Sequence, residues 1–140
     1  MLTEEQKRKI REYVKDKPVE VVYLFGSQAA GNARPGSDYD FGVLYQKQLN
    51  SHQKFEMDLE LVTFFQEILK KNKVDVVDLD KAYLRFKYEA IKARKEIFVA
   101  NNQIRDDFEY EVLRDYLDEM YYMKQTTRDY LKVFSQIWPN

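Results

Sequence analysis

Four short stretches of the chain carry the hydrophobic pattern of β-strands. The first, residues 19–25, is an almost continuous apolar run, and the second, residues 38–45, alternates between apolar and polar or small residues. The other two, residues 74–79 and 97–99, are short and rich in β-branched or aromatic residues. The pattern therefore predicts three main strands and one short edge strand.

Alternation along the second stretch separates the two faces of the predicted strand, because successive side chains point to opposite sides. One face carries large apolar residues, namely Tyr39, Phe41, Val43 and Tyr45. The other carries two acids and a glycine, namely Asp38, Asp40 and Gly42. We expect the first face to lie in the core and the second to be an open site bordered by the small Gly42.

Longer stretches with helical spacing separate these strands. The first helix opens on a capping box at Thr3 and Gln6 and ends before Pro18. The apolar spacing of Phe55, Leu59 and Leu69 predicts a helix over 54–71, after a polar connection that contains His52. Further helices are expected over 27–31, 81–94 and 103–137. The order of elements predicts an α/β fold in which helices flank a small mixed sheet and a long C-terminal helix follows.

The long C-terminal helix carries an apolar stripe that has two interpretations. Its members are Leu113, Leu117, Met120, Leu131, Phe134 and Trp138. Packing of this stripe back onto the core is the favoured interpretation. The alternative is a surface for a protein partner, because Tyr and Trp are enriched in interfaces and the chain has 11 Tyr.

Composition narrows the class of protein. The chain has 140 residues with 23 basic and 24 acidic side chains, a balance that argues against a polymerase that handles a template or tRNA. It has no cysteine, which excludes disulfides and thiolate metal sites. No signal peptide and no apolar run of membrane-spanning length is visible. These features predict a cytoplasmic protein that contacts neither a membrane nor nucleic acid directly.

A candidate active site follows the first strand. Gly26 and Ser27 come directly after it, and Asp38 and Asp40 follow a Pro/Gly-containing loop. Without a Cβ, Gly26 lets a phosphate approach the backbone, and Ser27 offers a hydroxyl at the start of a helix. Asp38 and Asp40 project from one face about 7 Å apart, where carboxylate oxygens suit Mg²⁺. A phosphate-binding turn followed by a metal site is what nucleotidyl transfer requires.

A third carboxylate is expected from the strand at 74–79. Asp75 and Asp78 lie on opposite faces of this strand, so only one of them can join Asp38 and Asp40. We choose Asp75, which sits among valines at the start of the strand, and interpret Asp78 as a turn acid. Other polar candidates, namely His52, Arg34, Lys81, Arg85 and Lys87, are better explained as solvated side chains.

The stretch from Leu24 to Phe41 resembles the signature of the DNA polymerase β-like nucleotidyltransferases, and within them it is most similar to the minimal nucleotidyltransferases. The resemblance covers residues 19–100, although Tyr39 and Phe41 stand where the family more often has aliphatic residues. It implies a nucleotidyltransferase core over 1–100 and a helical extension over 101–140. In it Gly26 and Ser27 would hold the triphosphate, while Asp38, Asp40 and Asp75 would hold Mg²⁺. Asp75 would also help to deprotonate the attacking hydroxyl.

The resemblance also implies a biological setting. Many minimal nucleotidyltransferases are MntA antitoxins, paired with a HepT-like HEPN-domain ribonuclease toxin in a hetero-oligomer. The implied reaction moves AMP from ATP to a tyrosine hydroxyl of the toxin and silences it. Two alternatives stay open on the sequence: transfer to a small-molecule hydroxyl of the aminoglycoside type, and an antitoxin that acts by binding alone.

Overall fold

The computed structural model describes residues 2–26, 39–93 and 95–137. Within these ranges there are four helices: α1 (Glu4–Val14), α2 (Ser51–Leu69), α3 (Leu84–Ala93) and α4 (Asn102–Ile137). There are also four strands: β1 (Val19–Phe25), β2 (Tyr39–Tyr45), β3 (Val74–Asp78) and β4 (Glu96–Val99). The helix predicted over 27–31 lies outside the described residues.

The strands form one mixed sheet in the order β3-β2-β1-β4. β1 is antiparallel to both β2 and β4, whereas β2 and β3 run parallel. The short β4 is an edge strand, as its length predicts. The predicted α/β fold, with helices flanking a small mixed sheet and a long C-terminal helix, is confirmed.

Both faces of the sheet are covered. On the first face Phe41 stacks on Phe65 of α2 with ring centroids 4.1 Å apart, so the structure accommodates an aromatic residue at this position of β2. On the second face Tyr23, Leu44 and Ala90 belong to a second buried cluster beneath α3. The prediction that the Gly42 face is open is therefore wrong. Leu79 fills the space above that glycine, since a Cβ on Gly42 would lie 2.8 Å from the Leu79 Cδ1 atom.

α2 begins earlier and buries a different stripe from the one predicted. Asn50 caps it and forms a capping box with Gln53, so His52 lies in the helix rather than in a loop. The buried residues are Met57, Leu61, Phe65 and Leu69. Phe55 and Leu59 are 59% and 55% exposed. Two overlapping stripes satisfy helical spacing here, and the buried one is flanked by Phe64 and Ile68, so it removes more apolar surface from water.

Phe65→Ala should cost about 3–5 kcal/mol of unfolding free energy, because it leaves a cavity in the packed first face. Phe65 is fully buried against Phe41. Phe55→Ala is the matched control, and its effect should stay within about 0.5 kcal/mol because that ring is exposed. Urea unfolding of both variants measures the difference. Equal losses would show that α2 packs through the other stripe.

α4 packs on the domain only through its first half. Val112 is buried, and Tyr116 stacks on Tyr88 of α3 with centroids 3.6 Å apart. From residue 117 to residue 136 almost every position is exposed. The five described members of the predicted stripe are all exposed, namely Leu113, Leu117, Met120, Leu131 and Phe134. The favoured interpretation, packing of this stripe onto the core, is therefore wrong for them, and Trp138 lies outside the described residues. None of the described helices, α4 included, is both long and apolar enough to cross a membrane.

Candidate active site

Three of the predicted site residues lie close together where β1 ends and where β2 and β3 begin, namely Gly26, Asp40 and Asp75. In the sheet register Asp40 is the partner of Phe25 on one side and of Asp75 on the other. Adjacent strands lie about 4.8 Å apart, and directly paired residues project from the same face. The register therefore places Asp40 and Asp75 side by side, next to the turn that begins at Gly26.

Two features of the structure require a glycine at position 26, its backbone conformation and the close approach of Asp40. Its φ is +80°, a conformation that side chains with a Cβ rarely adopt. A Cβ at this position would also lie only 2.6 Å from the Asp40 Oδ2 atom. The Asp40 carboxylate is therefore held directly over the turn, at the place where a phosphate would approach the backbone.

The structure separates the two acids of β3. Asp75 is exposed on the face that carries Asp40, whereas Asp78 lies on the opposite face. The Asp78 carboxylate is 3.6 Å from Lys54 Nζ and accepts a hydrogen bond from the Asp80 amide at 3.1 Å. Asp78 is thus committed to an ion pair and a turn, as expected, and Asp75 is the acid that lies beside Asp40.

Two predicted site residues, Asp38 and Ser27, lie outside the described residues, as does Arg34. Among the described residues there is no group of three or more His, Asp or Glu side chains that would hold a metal ion. Asp40 and Asp75 contribute two carboxylates on one face of adjacent strands, which is the donor chemistry that Mg²⁺ favours. The described part of the site therefore fits a magnesium ion with further oxygen ligands.

Tyr23 lies beneath this end of the sheet, two residues before Phe25 on the same face of β1. Burial raises the pKa of the Tyr23 hydroxyl, and the nearby carboxylates of Glu109 and Glu96 raise it further. Arg105 partly offsets this effect, and its Nη1 atom lies 3.0 Å from Glu96 Oε2. Tyr23 therefore stays neutral and adds no negative charge beneath the candidate acids.

Two of the other polar candidates, His52 and Lys81, lie away from this end of the sheet. The ring Nε2 of His52 is 2.9 Å from Glu56 Oε1 on the exposed side of α2. Lys81 Nζ donates a hydrogen bond to Ser51 Oγ at 2.8 Å, on the far side of β3 from Asp75. Both side chains are thus occupied at the surface, as their interpretation as solvated groups predicts.

Sequence reasoning did not consider two lysines whose backbone lies at this end of the sheet. The carbonyl of Lys73 accepts a hydrogen bond from the Tyr39 amide at 3.0 Å, and that of Lys95 accepts one from the Leu24 amide at 2.9 Å. Each precedes a strand whose first residues lie at the site's end of the sheet. A lysine just before a short strand is the only signal in the sequence, and it has meaning only once the register is known.

Comparison with known proteins places this geometry in a family. The polymerase beta nucleotidyltransferase family matches residues 8–103. The protein adenylyltransferase MntA of Aphanizomenon flos-aquae is 27% identical over 127 residues, which are 86% of this chain and 83% of that protein.

Solved structures share the fold. A crystal structure of a toxin–antitoxin with AMP-PNP matches with a TM-score of 0.65 and 22% identity, over 89% of this chain and 98% of that chain. A structure of the tri-AMPylated Shewanella oneidensis HEPN toxin in complex with MNT antitoxin matches with a TM-score of 0.64 and 19% identity, over 93% and 99% of the two chains. The family match spans more than half of the chain and includes every strand of the sheet, so this chain belongs to the polymerase beta nucleotidyltransferase family.

Proposed function

We propose that this protein is a magnesium-dependent protein adenylyltransferase and an antitoxin. It transfers AMP from ATP to a tyrosine hydroxyl of a HEPN-domain ribonuclease toxin in the cytoplasm and thereby silences the toxin. The observation that carries the proposal is the pairing of Asp40 with Asp75 beside the positive-φ turn at Gly26.

The relatives support the choice of reaction and partner. The related MntA protein is named a protein adenylyltransferase. One structure with the same fold holds AMP-PNP, and another holds an AMPylated HEPN toxin bound to its antitoxin. These are properties of those proteins, and their agreement with the acids at this site makes protein AMP transfer the function we assign to this chain.

The proposed chemistry is a single displacement at phosphorus. The tyrosine oxygen attacks the α-phosphorus of ATP and forms a new P–O bond, while the bond from that phosphorus to the bridging oxygen of the β-phosphate breaks. Pyrophosphate leaves with the bonding pair, and the phenolic proton passes to the carboxylate of Asp75. Because tyrosine has a pKa of about 10, it needs such an acceptor at neutral pH.

The other tasks in this proposal are metal binding, triphosphate binding and support of the site. Asp38, Asp40 and Asp75 hold Mg²⁺, which when bound neutralises phosphate charge and lowers the pKa of a coordinated hydroxyl. The Gly26 turn leaves room for the triphosphate against the backbone, and Ser27 donates its hydroxyl to a phosphate oxygen. The second core beneath Asp40, with Leu79 against Gly42, keeps the start of β2 rigid.

The direct test is the intact mass of the neighbouring-gene product, which the proposal expects to be a HEPN ribonuclease, after incubation with this protein, ATP and Mg²⁺. We expect a mass gain of one or more AMP units, located on tyrosine by tandem mass spectrometry, and loss of that gain on addition of EDTA. Co-purification of the two proteins without any gain would overturn AMP transfer in favour of inhibition by binding. AMP transfer to a small hydroxyl compound alone would overturn the protein acceptor.

A further inference from the structure

The exposed second half of α4 carries a regular heptad pattern. Steps of three and four residues link six positions, which we call the pairing face: Leu117, Met120, Lys124, Thr127, Leu131 and Phe134. All six are exposed in the structure, with Leu117 at 56% and Leu131 at 58%. Apolar residues at this spacing are typical of helices that pair along their length.

The order of residues along the pairing face is a palindrome. Two apolar residues are followed by two polar residues and then by two more apolar residues. An antiparallel second copy would place Leu117 opposite Phe134 of that copy and Met120 opposite its Leu131. Lys124 would lie opposite Thr127 at the centre, so that like meets like in every layer. The two-fold axis repeats this pair, so two adjacent polar layers lie at the centre, and polar layers of this kind fix the register of paired helices.

The charges on α4 also favour an antiparallel arrangement of the two helices. Residues 113–122 contain three acids and one base, whereas residues 123–132 contain three bases and one acid. An antiparallel arrangement brings the acidic half of each helix beside the basic half of the other. A parallel arrangement would instead oppose like charges and place the two Lys124 side chains in the same layer.

The residues that flank the pairing face fit this arrangement. Met123 and Tyr130 lie along one border, where antiparallel helices bring them together as an apolar pair. Tyr121 and Arg128 lie along the other border, where an arginine can stack on an aromatic ring. Between these borders Met120, Met123 and Leu131 line a shallow, open surface formed by residues of α4 alone.

We propose that two copies of this chain associate through the pairing faces of their α4 helices, antiparallel about a two-fold axis between Lys124 and Thr127. The paired segment, residues 117–134, is about 26 Å long. It begins just after Tyr116, which stacks on Tyr88 of α3, so the two folded domains lie at opposite ends of it. The association needs neither ATP nor a ribonuclease and is independent of the proposed function.

The first test is the mass of the full chain in solution, alone, by light scattering or sedimentation equilibrium. We expect a dimer for the wild type and a monomer for Leu117→Glu with Leu131→Glu, with unchanged circular dichroism because both side chains are exposed. The matched control is Tyr122→Glu with Val133→Glu, two exposed apolar residues off the pairing face, which should remain a dimer.

The antiparallel direction of the two helices is tested by cross-linking through introduced cysteines. The chain has no cysteine of its own, so only the introduced ones can react. A mixture of Met120→Cys and Leu131→Cys chains should react with a short bis-maleimide to give mixed dimers. Neither variant should cross-link alone, because its two cysteines would lie about 16 Å apart along the helices. Cross-linking of each variant alone would overturn the antiparallel arrangement. If the wild-type chain is monomeric alone and its pairing face is covered only when the HEPN partner is bound, the proposal that a second copy covers this face would be overturned.

Discussion

Asp40→Asn is expected to reduce the rate of AMP transfer by at least about a thousandfold, which is roughly 4 kcal/mol of transition-state stabilisation. The substitution removes a charged oxygen that lies beside Asp75 and directly over Gly26, where metal and phosphate would meet. It removes no packing, because the side chain of Asp40 is partly exposed and Asn has nearly the same shape.

The stability of the Asp40→Asn variant should not fall together with its activity. Asp40 and Asp75 are two carboxylates on adjacent strands, and like charges at this distance repel each other. Removing one of them should leave the melting temperature unchanged or raised, as is common for residues retained for function. A loss of activity together with a clear loss of stability would show that Asp40 serves the fold instead.

Asp80→Asn is the matched control for the Asp40 experiment. Asp80 follows the far end of β3, its side chain is 47% exposed, and its carboxylate lies 3.8 Å from Lys54 Nζ. An exposed ion pair of this kind contributes little stability. The control should therefore keep the wild-type rate and change the unfolding free energy by less than about 0.5 kcal/mol. The initial rate of AMP incorporation and urea unfolding on the same preparations measure both quantities.

The local parts of the fold could be predicted from the sequence. The apolar run of residues 19–25 coincides with β1, and the capping box at Thr3 starts α1 as expected. These features depend on neighbours within a few residues of each other. Alternation within a single strand also predicts that only one of Asp75 and Asp78 can lie beside Asp40, and the structure places Asp75 on the face that carries Asp40.

The parts that depend on distant contacts could not be predicted. α2 contains two apolar stripes of equal periodicity, and only the sheet beneath it decides that Phe65 is buried and Phe55 is not. The exposure of α4 beyond Tyr116 depends on where α3 begins, at Leu84, because α4 extends past that residue, and the spacing of α4 does not contain this information. The parallel register that pairs Asp40 with Asp75 likewise joins strands about 35 residues apart in sequence.

Gly42 shows why the limits of the site were misjudged. Alternation puts Gly42 on the face of Asp40, and a small residue beside an acid resembles the border of an open cleft. The structure instead places the Leu79 side chain over Gly42, so the open site ends at Asp40. The same small side chain can thus leave space for a ligand or accept a neighbouring core residue, and only the contacts distinguish the two.

Gly26→Ala should therefore reduce mainly activity, whereas Gly42→Ala should reduce mainly stability. In Gly26→Ala the new Cβ meets the end of the Asp40 side chain at 2.6 Å, and that carboxylate can rotate away into solvent. The rotation displaces an oxygen of the proposed metal site, so activity should fall about a hundredfold. The positive φ of Gly26 should add only about 1–2 kcal/mol of destabilisation.

In Gly42→Ala the new Cβ meets Leu79 at 2.8–3.0 Å, and Leu79 is fully buried. A packed core side chain cannot move away as the partly exposed Asp40 carboxylate can. This variant should therefore lose about 1–3 kcal/mol of stability. Its folded molecules keep Asp40 in place and should transfer AMP at close to the wild-type rate. Urea midpoints and initial rates, corrected for the folded fraction, measure both effects. If the two variants lost rate and stability in the same proportion, the Gly26 turn would have no role beyond folding, and the close approach of Asp40 would not serve catalysis.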